Sequence, residues 1–334
     1  MRRYGRRSGI MGFTIMVCAL AALLSMAGYV SAAEEHVNYR LKWLINMSTV
    51  GDVYAQVNGF FQKEGLVVDV KPGGPERDAI RELELGYAQF GVASADQVIR
   101  ALEKGSPLVV IAQLFQVNPL HWIYRHDKIA INTLDDLKGR ILGVTFGKND
   151  EIIMRTLMAL AGLGENDVRL FSVRLDYTPF YNGSVDLWPV YINTQGVDIG
   201  NKMKTAGEKI AFFNPSDFGV RFVANSVITS AHMISDQPDT VRRFARGLLK
   251  GWQVSLDPVN AAKAIETVRM FDKDTAEATM QAQLDATRPL IQPDAGTRIG
   301  AIDAKAWQQT EAIMLDNKQI ARPVNVLDYL QEIR

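Results

Sequence analysis

Two aromatic side chains and two side-chain amides close the stretch DLWPVYINTQG: Trp188, Tyr191, Asn193 and Gln195. Aromatic faces stack on flat solutes, each good stack contributing about 0.5–1.5 kcal/mol beyond burial. An amide offers a donor beside an acceptor, which matches a heterocycle with an amine next to a ring nitrogen. Trp188 and Tyr191 are the leading stacking residues, with ordinary strand core as the alternative. A second pairing of the same kind is Trp43 with Asn46, whose alternative is a core indole beside a turn asparagine. Tyr54, eight residues on, lies under the same site or in the core. Gly74, in PGGP, opens a turn whose backbone N–H groups can hold an anion or a carbonyl. Ser94, after FGVA, either caps a helix or offers its hydroxyl to a solute. Asp217, in NPSDFG, can pair with a solute amine or simply make a turn. All of this is the chemistry of non-covalent recognition.

The residues of catalysis are scattered by comparison. His36, His121, His126 and His232 have no metal-ligand spacing, and no G-x-S-x-G elbow occurs. The turn FGKNDE lacks the spacing of a nucleotide P-loop. Its Asp150 suits the first turn of a helix, with surface capping the expected role. No metal or cofactor is implied, and the chain reads as a non-enzyme.

Composition bounds the rest. The chain has 334 residues, 47% hydrophobic and 22% charged, with no net formal charge. Arg2, Arg3, Arg6 and Arg7 stand in the first 33 residues, which hold no acid. Without them, 33 basic side chains face 37 acidic ones. This mildly acidic balance carries no electrostatic footprint for nucleic acid. Residues 1–33 read as an export signal: a basic start, the apolar run IMGFTIMVCALAALLSMAGY, and small residues at VSAAEE for cleavage after Ala32 or Ala33. The run is long enough to span a bilayer, so an uncleaved anchor stays open. Cys18 lies inside that run, which leaves an exported chain without cysteine and without need of a disulfide.

Beyond residue 34, strand and helix patterns alternate. VNYRLKWLI (37–45), LVVDVKP, YAQFGVAS and PLVVIAQLF read as strands, separated by helical stretches. LHWIYRHD (120–127) leaves this first group, and a second alternation fills residues 127–220. VRFVANSVITS (220–230) crosses back. From about 236 the chain is helical, with Val241, Phe244, Ala245, Leu248, Leu249 and Trp252 on one stripe. The order predicts an α/β protein of two lobes joined by two extended crossovers, each lobe a mostly parallel sheet flanked by helices. Lobe 1 takes residues 34–125 plus 222–334, and lobe 2 residues 126–221. Solutes bind outside the carboxyl ends of such strands and between domains, which is where LWPVYINTQG would end.

The stretches LKWLINMSTVGDVYAQVNGFFQKEGLVVDV, FGVASADQVIRALEKGSPLVVIAQLF, TLDDLKGRILGVTFG, SVDLWPVYINTQG and DQPDTVRRFARGLLKGW span about residues 38–254. In order and spacing they resemble the periplasmic solute-binding proteins of ABC importers. More narrowly, they resemble the group that takes thiamine-pyrimidine precursors, sulfonates, taurine or nitrate. The resemblance implies a two-lobe periplasmic-binding-protein clamp with two hinge crossovers and an exported, periplasmic, monomeric protein. It also implies a small-molecule ligand and a membrane permease as partner, with no nucleic acid. It implies a thiamine-pyrimidine precursor or similar N-heterocycle as solute. A sulfonate-type anion and a sensor domain without a transport role are the alternatives. Arg125 and Arg221, near the crossovers, keep an anion open. Pyrimidine-binding members of the group carry an acid where this chain has Gln195. One enzyme in the group, a synthase of the thiamine pyrimidine, is marked by a cysteine cluster and a reactive lysine and histidine. The corresponding strand end here, GVASADQ, has neither lysine nor histidine.

Overall fold

The computed structural model describes Met1, residues 35–74 and residues 76–333. The export segment read at the N-terminus, and Pro75, expected in a first helical turn, lie outside the described residues. Among the described residues no helix is long and apolar enough to cross a membrane.

Among the described residues ten strands form two five-stranded sheets. The first contains β1 (Glu35–Arg40), β2 (Leu66–Lys71), β3 (Phe90–Ala93), β4 (Leu108–Gln113) and β10 (Ser226–Ser230), in the order β2-β1-β3-β10-β4. The second contains β5 (Leu120–Arg125), β6 (Ile141–Val144), β7 (Arg169–Ser172), β8 (Leu187–Tyr191) and β9 (Ile210–Phe213), in the order β7-β6-β8-β5-β9. β1 runs parallel to β3, and β6 parallel to β7 and β8. β10 is antiparallel to β3 and β4, and β5 to β8 and β9. Each sheet is therefore mixed. In each, the strand that arrives from the other lobe enters between two others and runs against them. β5, which the expected boundary leaves in lobe 1, pairs only in the second sheet.

The helices among the described residues are α1 (Val50–Val57), α2 (Ala79–Glu84), α3 (Ala95–Glu103), α4 (Asn149–Leu160), α5 (Thr178–Tyr181) and α6 (Gln195–Thr205). They continue with α7 (Ala231–Asp236), α8 (Pro238–Leu256), α9 (Ala261–Arg269), α10 (Glu277–Ile291) and α11 (Ala304–Asp316). α8 buries the apolar stripe read from the sequence; Val241, Phe244, Ala245, Leu248 and Trp252 are buried, and Leu249 packs at the edge. Phe244 stacks on Phe90 of β3 with ring centroids 3.7 Å apart. α8 also lies directly on α1. A Cβ on Gly51 would fall 2.0 Å from Trp252 Cδ2, and one on Gly251 2.5 Å from the Ala55 Cβ. Only glycine at both positions lets these two helices approach so closely.

The chain departs from the sequence reading at the end of β1 and at the start of α2. The strand expected over 37–45 stops at Arg40, and residues 41–46 bend away from the sheet. Gly73 makes room for that bend, since a Cβ there would lie 2.2 Å from the Leu41 carbonyl oxygen. The helix expected to open at PGGP begins instead at Ala79. Asp78 is its cap, accepting from the N–H groups of Ile80 (3.0 Å) and Arg81 (3.2 Å). The crossovers are short. Residues 114–119 and 219–225 lie outside the strands and are tied together: the N–H groups of Leu114 and Phe115 both donate to the Asn225 carbonyl at 3.0 and 3.2 Å. Asn118 adds a bond to the Phe222 carbonyl at 3.0 Å.

Candidate functional site

A cleft open to solvent lies between the two sheets. Its walls come from strand ends, as an open α/β sheet requires. The bend 41–46 after β1 supplies Lys42, Trp43 and Asn46. The turns after β6 and β7 supply Lys148 and Arg174, and the first turn of α4 supplies Asp150. β8 and its continuation supply Trp188, Tyr191 and Gln195, and the return crossover supplies Asn225.

Of the ten residues singled out in the sequence, five line this space: Trp43, Asn46, Trp188, Tyr191 and Gln195. Trp43 is half-buried. Asn46 accepts from the Ser48 N–H at 2.9 Å and so caps the turn 47–49, which leaves its Nδ2 as the free end. Trp188 is only 1% exposed. It packs in a small apolar cluster with Ile123, Val173, Phe180 and Ile199, and meets the rings of Tyr177 (5.8 Å) and Phe180 (6.4 Å). It is a core residue with an edge on the cleft. Gln195 accepts on Oε1 from the Tyr191 N–H (3.2 Å) and the Thr194 hydroxyl (2.7 Å). The backbone donor fixes which end of the amide points where, so Gln195 presents its Nε2 as the free end and not the two-way amide expected.

The other five lie elsewhere. Tyr54 is buried in the lobe 1 core against Phe60, at 5.9 Å between centroids. Gly74 sits in a narrow bridge with Arg77 at φ +147°. It opens no helix, because Asp78 caps α2 four residues later. Ser94 is buried, with its Oγ donating to Gln97 Oε1 at 3.0 Å in a capping box. Asp217 is exposed and accepts from Asn214 Nδ2 at 3.1 Å in its own turn. Asn193 is fully buried; its Nδ2 donates to Ser48 Oγ (3.2 Å) and Thr287 Oγ1 (2.8 Å). It ties the end of β8 to the turn before α1 and to α10, joining the lobes. Arg125 is no ligand group either. It pairs with Glu208 at 3.1 Å and donates to the carbonyls of Phe180 and Tyr181, both at 2.8 Å, which pins α5 to the sheet.

Several cleft residues escaped the sequence reading. Lys42 Nζ donates to the Tyr191 hydroxyl at 2.8 Å, and that hydroxyl donates to Asn225 Oδ1 at 2.9 Å. This chain links the bend after β1, the end of β8 and the crossover. Tyr177 flanks Trp188 on the wall, and burial pushes its phenol up to about 12. Beside the cleft, Lys148 meets Asp78 at 3.1 Å and Arg174 meets Glu76 at 2.8 Å, again from lobe to lobe. Asp150 is not a surface cap. It is buried, accepts from the Thr145 N–H at 2.6 Å, and is pushed by that burial up to about 6.

Asp52 forms part of the floor, buried beneath the bend. Its Oδ1 accepts from the Tyr39 hydroxyl at 2.7 Å and from Trp252 Nε1 at 3.3 Å. Burial pushes its carboxyl up to about 7, against the pull of those two donors. A carboxyl raised in the folded state contributes stability that is complete below its unfolded value. That contribution is lost as pH climbs through the folded one. The loss for Asp52, from an ordinary 3.8 to about 7, is on the order of 4 kcal/mol. Asp52→Asn keeps an oxygen for both donors and cannot ionise. The variant is therefore expected to gain stability over the parent as pH rises from about 5 to about 8. Denaturant melts across that range check it; parallel stability curves for the two proteins would show that Asp52 does not titrate there.

Two mixed sheets, exchanged central strands and a cleft walled by strand ends define a two-lobed α/β clamp of the periplasmic-binding-protein class. The chain belongs to the NMT1/THI5-like family, whose model matches residues 46–262. It is similar to the formylaminopyrimidine-binding protein of Halalkalibacterium halodurans, at 23% identity over 331 residues, covering 97% of this chain and 98% of that protein. It is also similar to the 4-amino-5-hydroxymethyl-2-methylpyrimidine phosphate synthase of Legionella pneumophila, at 24% identity over 229 residues, covering 66% of this chain and 69% of the relative. In fold it resembles the periplasmic aliphatic sulphonate binding protein SsuA from Escherichia coli, with a TM-score of 0.67 at 16% identity, covering 90% of this chain and 93% of that one.

Proposed function

We propose that this chain is the periplasmic solute-binding component of an ABC importer, and that it captures a small flat N-heterocycle of the thiamine-pyrimidine-precursor type. One observation carries the reading. The cleft has Trp43 and Tyr191 on opposite lobes, with the free amide ends of Asn46 and Gln195 beside them. A ring held between the lobes gains stacking from the aromatics and in-plane hydrogen bonds from the amides. Residues 1–33 export the chain, which works as a monomer and hands its solute to a membrane permease. Lobe motion is confined to the short crossovers 114–119 and 219–225, as in hinged clamps.

Binding fits the cleft better than catalysis. At the strand end GVASADQ, Ser94 and Gln97 are spent on a helix cap. The carboxylates of the cleft are committed to protein donors, Asp52 to Tyr39 and Trp252, and Asp150 to Thr145. Native mass spectrometry of protein purified from the periplasm of its own host tests the reading. The expected result is a co-purified adduct that absorbs in the near ultraviolet and is displaced by an added aminopyrimidine. An adduct that is a saturated, non-aromatic molecule would overturn it.

A further inference from the structure

The free amide ends that face the cleft are donors. Asn46 and Gln195 each give their oxygen to the protein backbone and keep their NH₂. Asn225 gives its oxygen to Tyr191. Lys42 is the strongest donor beside them. It is half-buried, and its Nζ bonds a neutral phenol and lies 5.2 Å from the centre of the same ring. Among the described residues no carboxylate pairs with it. By contrast Lys148 and Arg174 each have a partner acid. Lys42 also borders a small recess beside the cleft, shared with Lys148 and Arg77, where Asp78 is the single acid. An ammonium taken partly out of water with no carboxylate in direct contact is costly. A ligand anion delivered to it removes that cost and forms the stronger, charge-assisted kind of hydrogen bond.

From this geometry we propose that the solute carries an oxyanion group on its ring system, and that Lys42 is the residue that selects it. The inference rests on the heterocycle reading for the ring and goes beyond it for the charge. The ring lies against Trp43 and Tyr191, while the phosphate, sulfonate or carboxylate oxygens meet Lys42 at the entrance to the recess. Asp96 and Asp150 act on Lys42 only through space; both are buried, and among the described residues neither forms an ion pair with its ammonium.

Calorimetric titration with a matched pair of probes tests this: 4-amino-5-hydroxymethyl-2-methylpyrimidine and its phosphate monoester. The phosphate is expected to bind about 10- to 100-fold tighter, the scale of one hydrogen bond to a charged group. In Lys42→Gln the two should bind within about 3-fold of each other, and Lys42→Arg should restore most of the preference. Tyr191→Phe removes the hydroxyl partner of Lys42 but keeps the cation, so the preference should survive. Melting curves of wild type with inorganic phosphate and with methanesulfonate report the anion site without any ring, and distinguish the two oxyanions. If the parent protein binds the alcohol as tightly as the phosphate, the inference is wrong while the heterocycle reading stands. If neither pyrimidine binds but phosphate or methanesulfonate raises the melting temperature only when Lys42 is present, the anion site stands and the heterocycle reading falls. If no anion protects the parent protein, or Lys42→Gln is protected equally, Lys42 is not the selecting residue.

Discussion

Trp188→Ala should destabilise the protein by about 3–5 kcal/mol, the cost of emptying a large aromatic site in a packed core. The sequence places Trp188 at a strand end and so among the ligand groups. The structure places the indole between Phe180, Tyr177 and the apolar residues of its cluster, with 1% of its surface exposed. A small hydrophobic cluster of this kind has little else to close the hole. Trp188→Phe keeps much of the volume and should recover a good part of the loss. Equilibrium denaturation of both variants checks the expectation. A Trp188→Ala protein that unfolds within about 1 kcal/mol of the parent would return Trp188 to the binding wall.

Trp43→Ala is the complementary case. Trp43 is half-buried in a bend that has left the sheet, and it lines the cleft. Its removal should change the unfolding free energy by less than about 1 kcal/mol. Its loss from a bound ring removes burial and stacking together, about 2–4 kcal/mol. In affinity that is about 30- to 1,000-fold. Titration with the aromatic solute, beside the same denaturation curves, separates the two quantities. Weakened folding with unchanged affinity would make Trp43 a structural residue and move the stacking role to Tyr191 alone.

The difference between these two tryptophans shows what a linear pattern can and cannot carry. Both belong to apolar strand-like runs, and both stand near an amide. What distinguishes them is whether the chain stays in the sheet. β8 continues through Trp188, so its indole packs among the side chains on one face. β1 stops at Arg40, and Gly73 allows the next residues to turn out over the cleft. Nothing local in RLKWLIN announces that turn. The same turn is why Lys42 does not stand out in the sequence. In an alternating strand it reads as a solvated lysine, and only the bend sets it against Tyr191 of the other lobe.

By itself, the sequence determined the alternation of strands and helices, the two excursions of the chain between lobes, and the buried stripe of α8. These follow from hydrophobic period and from Gly, Pro and capping residues, which act over a few positions. It also determined that aromatics and amides collect at the ends of strands. The tertiary structure decided which of those residues meet. Asn193 became a tie between lobes because Ser48 and Thr287 arrive from segments 145 and 94 residues away. Ser94 and Asp217 were satisfied by their own neighbours. Asn46 and Gln195 lost their acceptors to backbone N–H groups and so became donors. A polar side chain's role is set by which of its atoms the fold leaves unpaired. That depends on contacts between segments far apart in the chain, which no short-range pattern records.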